Sequence, residues 1–230
     1  MIPDDAVERL LESALNIGAA CDKENVQQWE VYATQGYGHS LEIEAGRISM
    51  ASGGGDGGFG IRIVEDGRYG YAHLVDPSSA SRAIQQALSI AKRSPSIEGF
   101  ELPGNELASK VGGMKDKAIL DMGPEDLLEQ GDQVLTRVAE LDSRAVAVGG
   151  GVGVGAGAGA LVTSSGIENG GVHTSHGIGI HVSIDEDEHL TSSYEGESSR
   201  SILKDLTASV DKAVHWSQAT REKIPGGATE

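Results

Sequence analysis

Residues 59–74 read FGIRIVEDGRYGYAHL. Phe59, Ile61 and Ile63 alternate with Gly60, Arg62 and Val64, the period of a strand with one face buried. Glu65-Asp66-Gly67-Arg68 then reads as a hairpin turn, since an Asp-Gly pair tolerates the positive φ that a two-residue turn requires. Tyr69–Leu74 returns as the second strand. An antiparallel sheet is therefore the framework of this chain. Directly after it, Asp76-Pro77 announces a helix, because Asp caps free amides and Pro suits a first turn. Ala80, Ala83, Ile84, Ala87, Leu88 and Ala91 place one apolar face on that helix, and Ser94-Pro95-Ser96 ends it.

Working back from the hairpin, Trp29, Val31 and Ala33 alternate as a strand, and so do Leu41 and Ile43. Ala45-Gly46 turns the chain into Ile48 and Met50. The stretch Gly53–Gly60, GGGDGGFG, reads as a flexible loop between strands. A first helix is expected near Asp4–Ile17 on the stripe Val7, Leu10, Leu11, Ala14 and Ile17, with Gly18 as its stop.

Working forward, the order repeats. A helix opens at Gly123-Pro124 and carries Leu127, Leu128, Val134, Leu135, Val138 and Leu141. A glycine-rich β region spans about Ala145–Glu197. A last helix carries Leu203, Leu206, Val210, Ala213 and Val214. The fold class expected is α+β, with two helix–antiparallel-sheet–helix lobes in tandem. The boundaries are 1–97 for the first lobe, 98–122 for a surface connector and 123–230 for the second. Two related lobes, or one sheet assembled from both, satisfy this pattern.

Composition narrows the function classes. The 230 residues hold 18 basic and 35 acidic side chains, a formal charge of −17, which opposes general attraction to nucleic acid or anionic lipid. Such a surface suits either a salty cytoplasm, where self-repulsion is screened, or an ordinary acidic protein. No apolar run reaches the length of a membrane span. The N-terminus carries acids where a signal peptide needs bases, so a cytoplasmic protein is expected. A single cysteine, Cys21, excludes an internal disulfide and reads as inert.

Glycine is 33 of the 230 residues, and it clusters. In Ala145–Ala160 the even positions Val146, Val148, Val152, Val154, Ala156, Ala158 and Ala160 are aliphatic, while Gly149–Gly159 are glycine at every odd position. The period predicts a strand with one aliphatic and one bare face. The bare face lies either beneath a neighbouring element or along a groove that a peptide backbone enters. Gly53–Gly60 contains GxGxxG, but a strand follows it where a dinucleotide fold needs a helix.

His173, His176, His181 and His189 lie near Asp185, Glu186, Asp187 and Glu188. They lack the helical HExxH spacing, and strand alternation sends His173 and His181 to one face and His176 to the other. Exposed histidines beside a solvated hairpin tip account for them without a metal. No serine sits in a GxSxG elbow. The chain carries no catalytic constellation of its own.

The motifs EVYA at 30–33, EAGRI at 44–48, GIR at 60–62, DGRYGYA at 66–72 and GFELP at 99–103 together resemble the N-terminal domain of the TldD/PmbA family, on the PmbA (TldE) side. The resemblance implies a metallopeptidase system acting on peptides or unfolded proteins, in which a TldD-like subunit holds zinc through an HExxxH helix and a later cysteine of its C-terminal domain. PmbA-like chains lack that site and contribute to pairing and to the enclosed chamber. Family members are about twice as long as this chain, and Lys223-Ile224-Pro225-Gly226-Gly227 resembles the lead-in to the C-terminal domain. This chain is then an excised or naturally split half, with no catalytic or metal residue of its own. Zinc is expected in a missing C-terminal domain or in a partner.

The resemblance makes a TldD-like subunit, or a second copy of this chain, the expected partner, and peptide or unfolded protein the expected substrate. Glycine-rich strands and sheet edges offer extended peptide a place to add as a strand. Gly57, Gly58, Phe59, Gly60 and Arg62 are the candidate contacts; the competing reading of Arg62 is an exposed strand residue. The rival functions are a non-catalytic protein-binding regulator of the gyrase-modulator type, and the N-terminal half of a catalytic TldD-like metallopeptidase.

Overall fold

A computed structural model describes residues 2–104, 111–186 and 189–220. The elements run α1 (Ala6–Lys23), β1 (Gln28–Glu44), β2 (Arg47–Glu65), β3 (Arg68–Leu74), α2 (Ala80–Ala91), α3 (Lys117–Leu120), α4 (Pro124–Leu141), β4 (Ala145–Thr163), β5 (Glu168–Glu186), β6 (His189–Ser199) and α5 (Thr207–Ala219). The fold is α+β. The six strands form one sheet in the order β3-β2-β1-β4-β5-β6, so both halves of the chain contribute to a common sheet. Both two-residue turns of the first half form as read: Ala45 and Gly46, and Asp66 and Gly67, all have positive φ.

The compact units do not follow the tandem division at 1–97, 98–122 and 123–230. One comprises 1–37, 55–114 and 156–173, the other 38–54, 115–155 and 174–230. The reason is strand length. β1, β2, β4 and β5 each have 17 to 19 residues and pass from one unit into the other. Glycines masked this continuity in the sequence. The loop expected at Gly53–Gly60 is strand throughout. At Gly57 a Cβ would stand 2.7 Å from the Thr34 carbonyl oxygen, so the absence of a side chain is what lets the strand continue there.

In the first unit, α1 and α2 cover one face of the sheet. Leu10, Ala14, Ile17 and Cys21 of α1 and Ala83, Ile84 and Ala87 of α2 bury against Val31, Ala33, Ile61 and Ile63. Helix α1 continues past Gly18, its expected stop. A Cβ at Gly18 would overlap the Trp29 ring, so this glycine seats an indole and ends nothing. Asp76 caps as expected, accepting the Ser78 amide at 2.9 Å.

In the second unit, Leu127, Val134 and Val138 of α4 and Val210, Ala213 and Val214 of α5 bury against Leu41, Ile43, Val152, Val154, Ile180, Val182 and Ile184. Arg137 joins the two helices by a two-pronged pair with Asp211, at 2.7 and 3.1 Å. The expected connector contributes α3, whose Ile119 is buried in this core. The single aliphatic face expected on β4 is two faces. Ala145 and Ala147 are buried while Val146 and Val148 are exposed; beyond Gly151 the buried pair is Val152 and Val154. Gly150 sits between at φ +136, a left-handed conformation that shifts the alternation by one residue.

Candidate functional site

Strand alternation builds a site on the side of the first unit's sheet away from α1 and α2. Ile61 and Ile63 point into the core, so Gly60 and Arg62 point out. The hairpin register sets Arg62 opposite Tyr71 and Gly60 opposite His73. From β1, Glu30 reaches Arg62, which donates from Nη2 to Oε2 at 2.7 Å. The two side chains are 28% and 18% exposed, so the pair is partly shielded from water. Burial opposes the Arg62 charge, but hydrogen bonds to Tyr71 and Glu30 outweigh it and raise the Arg62 pKa. The Arg62 Nε is buried and has no hydrogen-bond partner among the described residues. Tyr32 and Tyr71 stand half exposed beside this pair.

The segment after α2 forms one rim. Ile97 donates its amide to the Gly67 carbonyl at 2.9 Å, and Leu102 donates to the Gln28 side chain at 2.8 Å. Phe100 packs on Tyr69 with ring centroids 5.5 Å apart, and Tyr69 meets Tyr71 edge-on at 5.4 Å. Beneath lies a cavity of about 240 Å³, with Gln28, Val64 and Phe100 in its lining. The GFELP stretch at 99–103 thus borders the site.

The bare face of β4 within this unit is roofed by rings from its neighbours. The Tyr32 hydroxyl lies where a Cβ on Gly159 would be 3.4 Å away, and the His173 imidazole covers Gly157. Of the residues expected to contact peptide, Gly57 is exposed, Gly58 and Gly60 are half-buried on the open face, and Arg62 is ion-paired there. Phe59 is not on this face, because its side chain is buried in the core. Sequence reading missed Glu30, Tyr32 and Tyr71. Their signal was present: each alternates with a core residue on a neighbouring strand.

The histidines do not converge. His176 is fully buried, contrary to the exposed position expected of it. Its Nδ1 accepts the Leu203 amide at 3.0 Å, so Nε2 carries the proton of the neutral ring and donates to Gln130 Oε1 at 3.1 Å. His181 is half-buried, and His173 and His189 are exposed. Asp185 is exposed, and the side chains of Glu186, Asp187 and Glu188 lie outside the described ones, as does the Lys223–Gly227 stretch. Among the described residues no group of three His, Cys, Asp or Glu side chains could hold a metal ion, so they do not fit a zinc centre. Cys21 is buried on α1; burial, then the neighbouring Asp22 charge, pushes its pKa up to about 12. No helix among the described residues is long and apolar enough to cross a membrane.

Residues 29–91 match the family profile described as PmbA/TldA metallopeptidase domain 1. No curated protein matches. The fold is similar to that of TldE from Thermococcus kodakarensis, with a TM-score of 0.77, 21% identity, and coverage of 90% of this chain and 47% of that one. It is similar to a proposed modulator of a DNA gyrase from Thermotoga maritima, with a TM-score of 0.77, 13% identity, and coverage of 94% and 50%. A third, a proposed modulator of DNA gyrase from Bacteroides thetaiotaomicron, gives a TM-score of 0.74, 19% identity, and coverage of 93% and 50%. The chain spans about half the length of these structures.

Proposed function

We propose that this chain is a PmbA/TldE-like N-terminal domain that serves a subunit of a cytoplasmic, zinc-dependent peptidase complex, pairing subunits and admitting substrate without performing the chemistry. One observation carries this reading. The segment that matches the metallopeptidase domain, 29–91, is also the segment that builds the open face around Arg62. In this reading zinc is held by a TldD-like partner or by a C-terminal domain.

The face suits an extended peptide or an unfolded segment. Gly58 and Gly60 let a backbone approach the sheet, Tyr32 and Tyr71 offer flat rings beside it, and the Arg62–Glu30 pair presents a donor next to an acceptor. A second reading, a non-catalytic regulator that binds a protein partner, is favoured by the gyrase-modulator descriptions of two structural neighbours.

The test is purification of the tagged protein from its native host, followed by identification of stoichiometric partners. A TldD-like chain bearing HExxxH, in a complex that cleaves unfolded protein and loses activity to a chelator, supports the peptidase reading. A topoisomerase-related partner without cleavage supports the regulator.

A further inference from the structure

Strand β6 ends the sheet: among the described residues it pairs with β5 and with no strand on its other side. An unpaired strand edge is a template for another chain. The register fixes which side chains share a face. Thr191, Ser193, Glu195 and Glu197 stand opposite Ile184, Val182, Ile180 and Ile178, all buried in the second core, and therefore lie on its helix side. Leu190, Ser192 and Tyr194 stand opposite Asp185, Ser183 and His181 on the other side. Leu190 is 73% exposed and Tyr194 66%, more than any other large apolar side chain in a described strand.

These side chains discriminate among occupants. An edge shaped only to repel other strands would not display Leu190 and Tyr194. A second copy of this chain suits the edge poorly, because pairing about Gly196 sets Glu195 directly across from Glu197 and any pairing brings together two chains of −17. The observations fit a different chain that is apolar on one face and cationic on the other.

We propose that the free edge of β6 takes up an extended segment of a partner protein as an added strand, and that this segment alternates apolar with basic residues. Its basic residues lie across from Glu195 and Glu197 on the helix side, and its apolar residues across from Leu190 and Tyr194 on the other. This edge belongs to the second unit and shares no residue with the open face around Arg62. The two readings stand or fall separately.

The probe is a capped peptide of about ten residues alternating valine and lysine, the length of a strand of this size. The control has the same composition with the valines and lysines in two blocks, which preserves the charge. With the full chain at physiological salt, the alternating peptide binds at least about tenfold tighter than the block peptide. Amide hydrogen exchange slows at 189–199 when it binds. Glu197→Lys weakens binding by about tenfold, and methylation of alternate peptide amides abolishes it. Equal binding of the two peptides would reduce the effect to general attraction by the −17 charge and overturn the proposal. So would protection elsewhere in the chain, or no binding at millimolar peptide.

Discussion

The Trp29 indole lies on Gly18, and the contact clamps β1 to helix α1. Trp29 Nε1 also donates to the Asp22 carboxylate at 2.7 Å, one turn further along the same helix. The ring is held at both ends of this short span, so it cannot swing aside to accept a methyl group. Gly18→Ala gains about 1 kcal/mol of helix propensity but forces the ring out of place. The expected net result is destabilisation by about 1–2 kcal/mol, read from urea unfolding midpoints. A variant as stable as the parent would show that the ring relaxes freely.

Cys21 sits on that helix, three residues beyond Gly18, with its thiol pushed up to about 12 by burial and by Asp22. It has neither thiolate character nor access at neutral pH. Native protein should resist a disulfide-exchange reagent over the time in which denatured protein reacts fully. Rapid labelling of folded protein would place the thiol at the surface.

The helix stop at Gly18 and the loop at Gly53–Gly60 share one source of error. Glycine was read as punctuation, whereas here it serves close approach. Side-chain pattern and turn chemistry revealed the Asp66-Gly67 hairpin, the α2 face, the Asp76 cap and the helix–strand order. It could not reveal that Gly57 continues a strand past the Thr34 carbonyl, because only the neighbour's position shows that need. The candidate site was half legible. Gly60 and Arg62 follow from alternation along one strand, but Glu30 and Tyr71 join them only through cross-strand pairing.

Gly150 offers a direct check on the β4 phase change. Its φ of +136 is a region side chains rarely adopt, and a Cβ there would collide with the Gly179 carbonyl. Gly150→Ala should cost about 2–3 kcal/mol, whereas Gly149→Ala, with open space around it, should cost under about 1 kcal/mol. Equal costs measured by chemical denaturation would contradict a local backbone requirement at Gly150.

His176 predicts a pH dependence of stability. Burial lowers its pKa below the ordinary 6.5, so the unfolded chain takes up the proton first. This contribution to stability is complete above about pH 6.5 and is lost as pH falls towards the folded-state value, at no more than about 1.4 kcal/mol per pH unit. Protonation would cost the Leu203 amide its acceptor at Nδ1. Asp76, Asp116 and Asp205 are held below 3.8 by hydrogen bonds, chiefly from Ser78, Ile202 and Thr207 respectively, so their contribution fades only in more acid solution. Between pH 7.5 and 5, His176→Gln should show a shallower loss of unfolding free energy than the parent. Parallel curves would assign the dependence to other groups.

The central claim is that the open face around Arg62 admits substrate to a peptidase formed with a partner. The most direct measurement is cleavage of an unfolded protein by the native complex, comparing the parent with Arg62→Ala. The account predicts that the variant still assembles with the TldD-like subunit and cleaves with a KM raised about three- to tenfold at similar kcat, as expected for lost substrate binding. Unchanged KM and kcat in an assembled complex would contradict it.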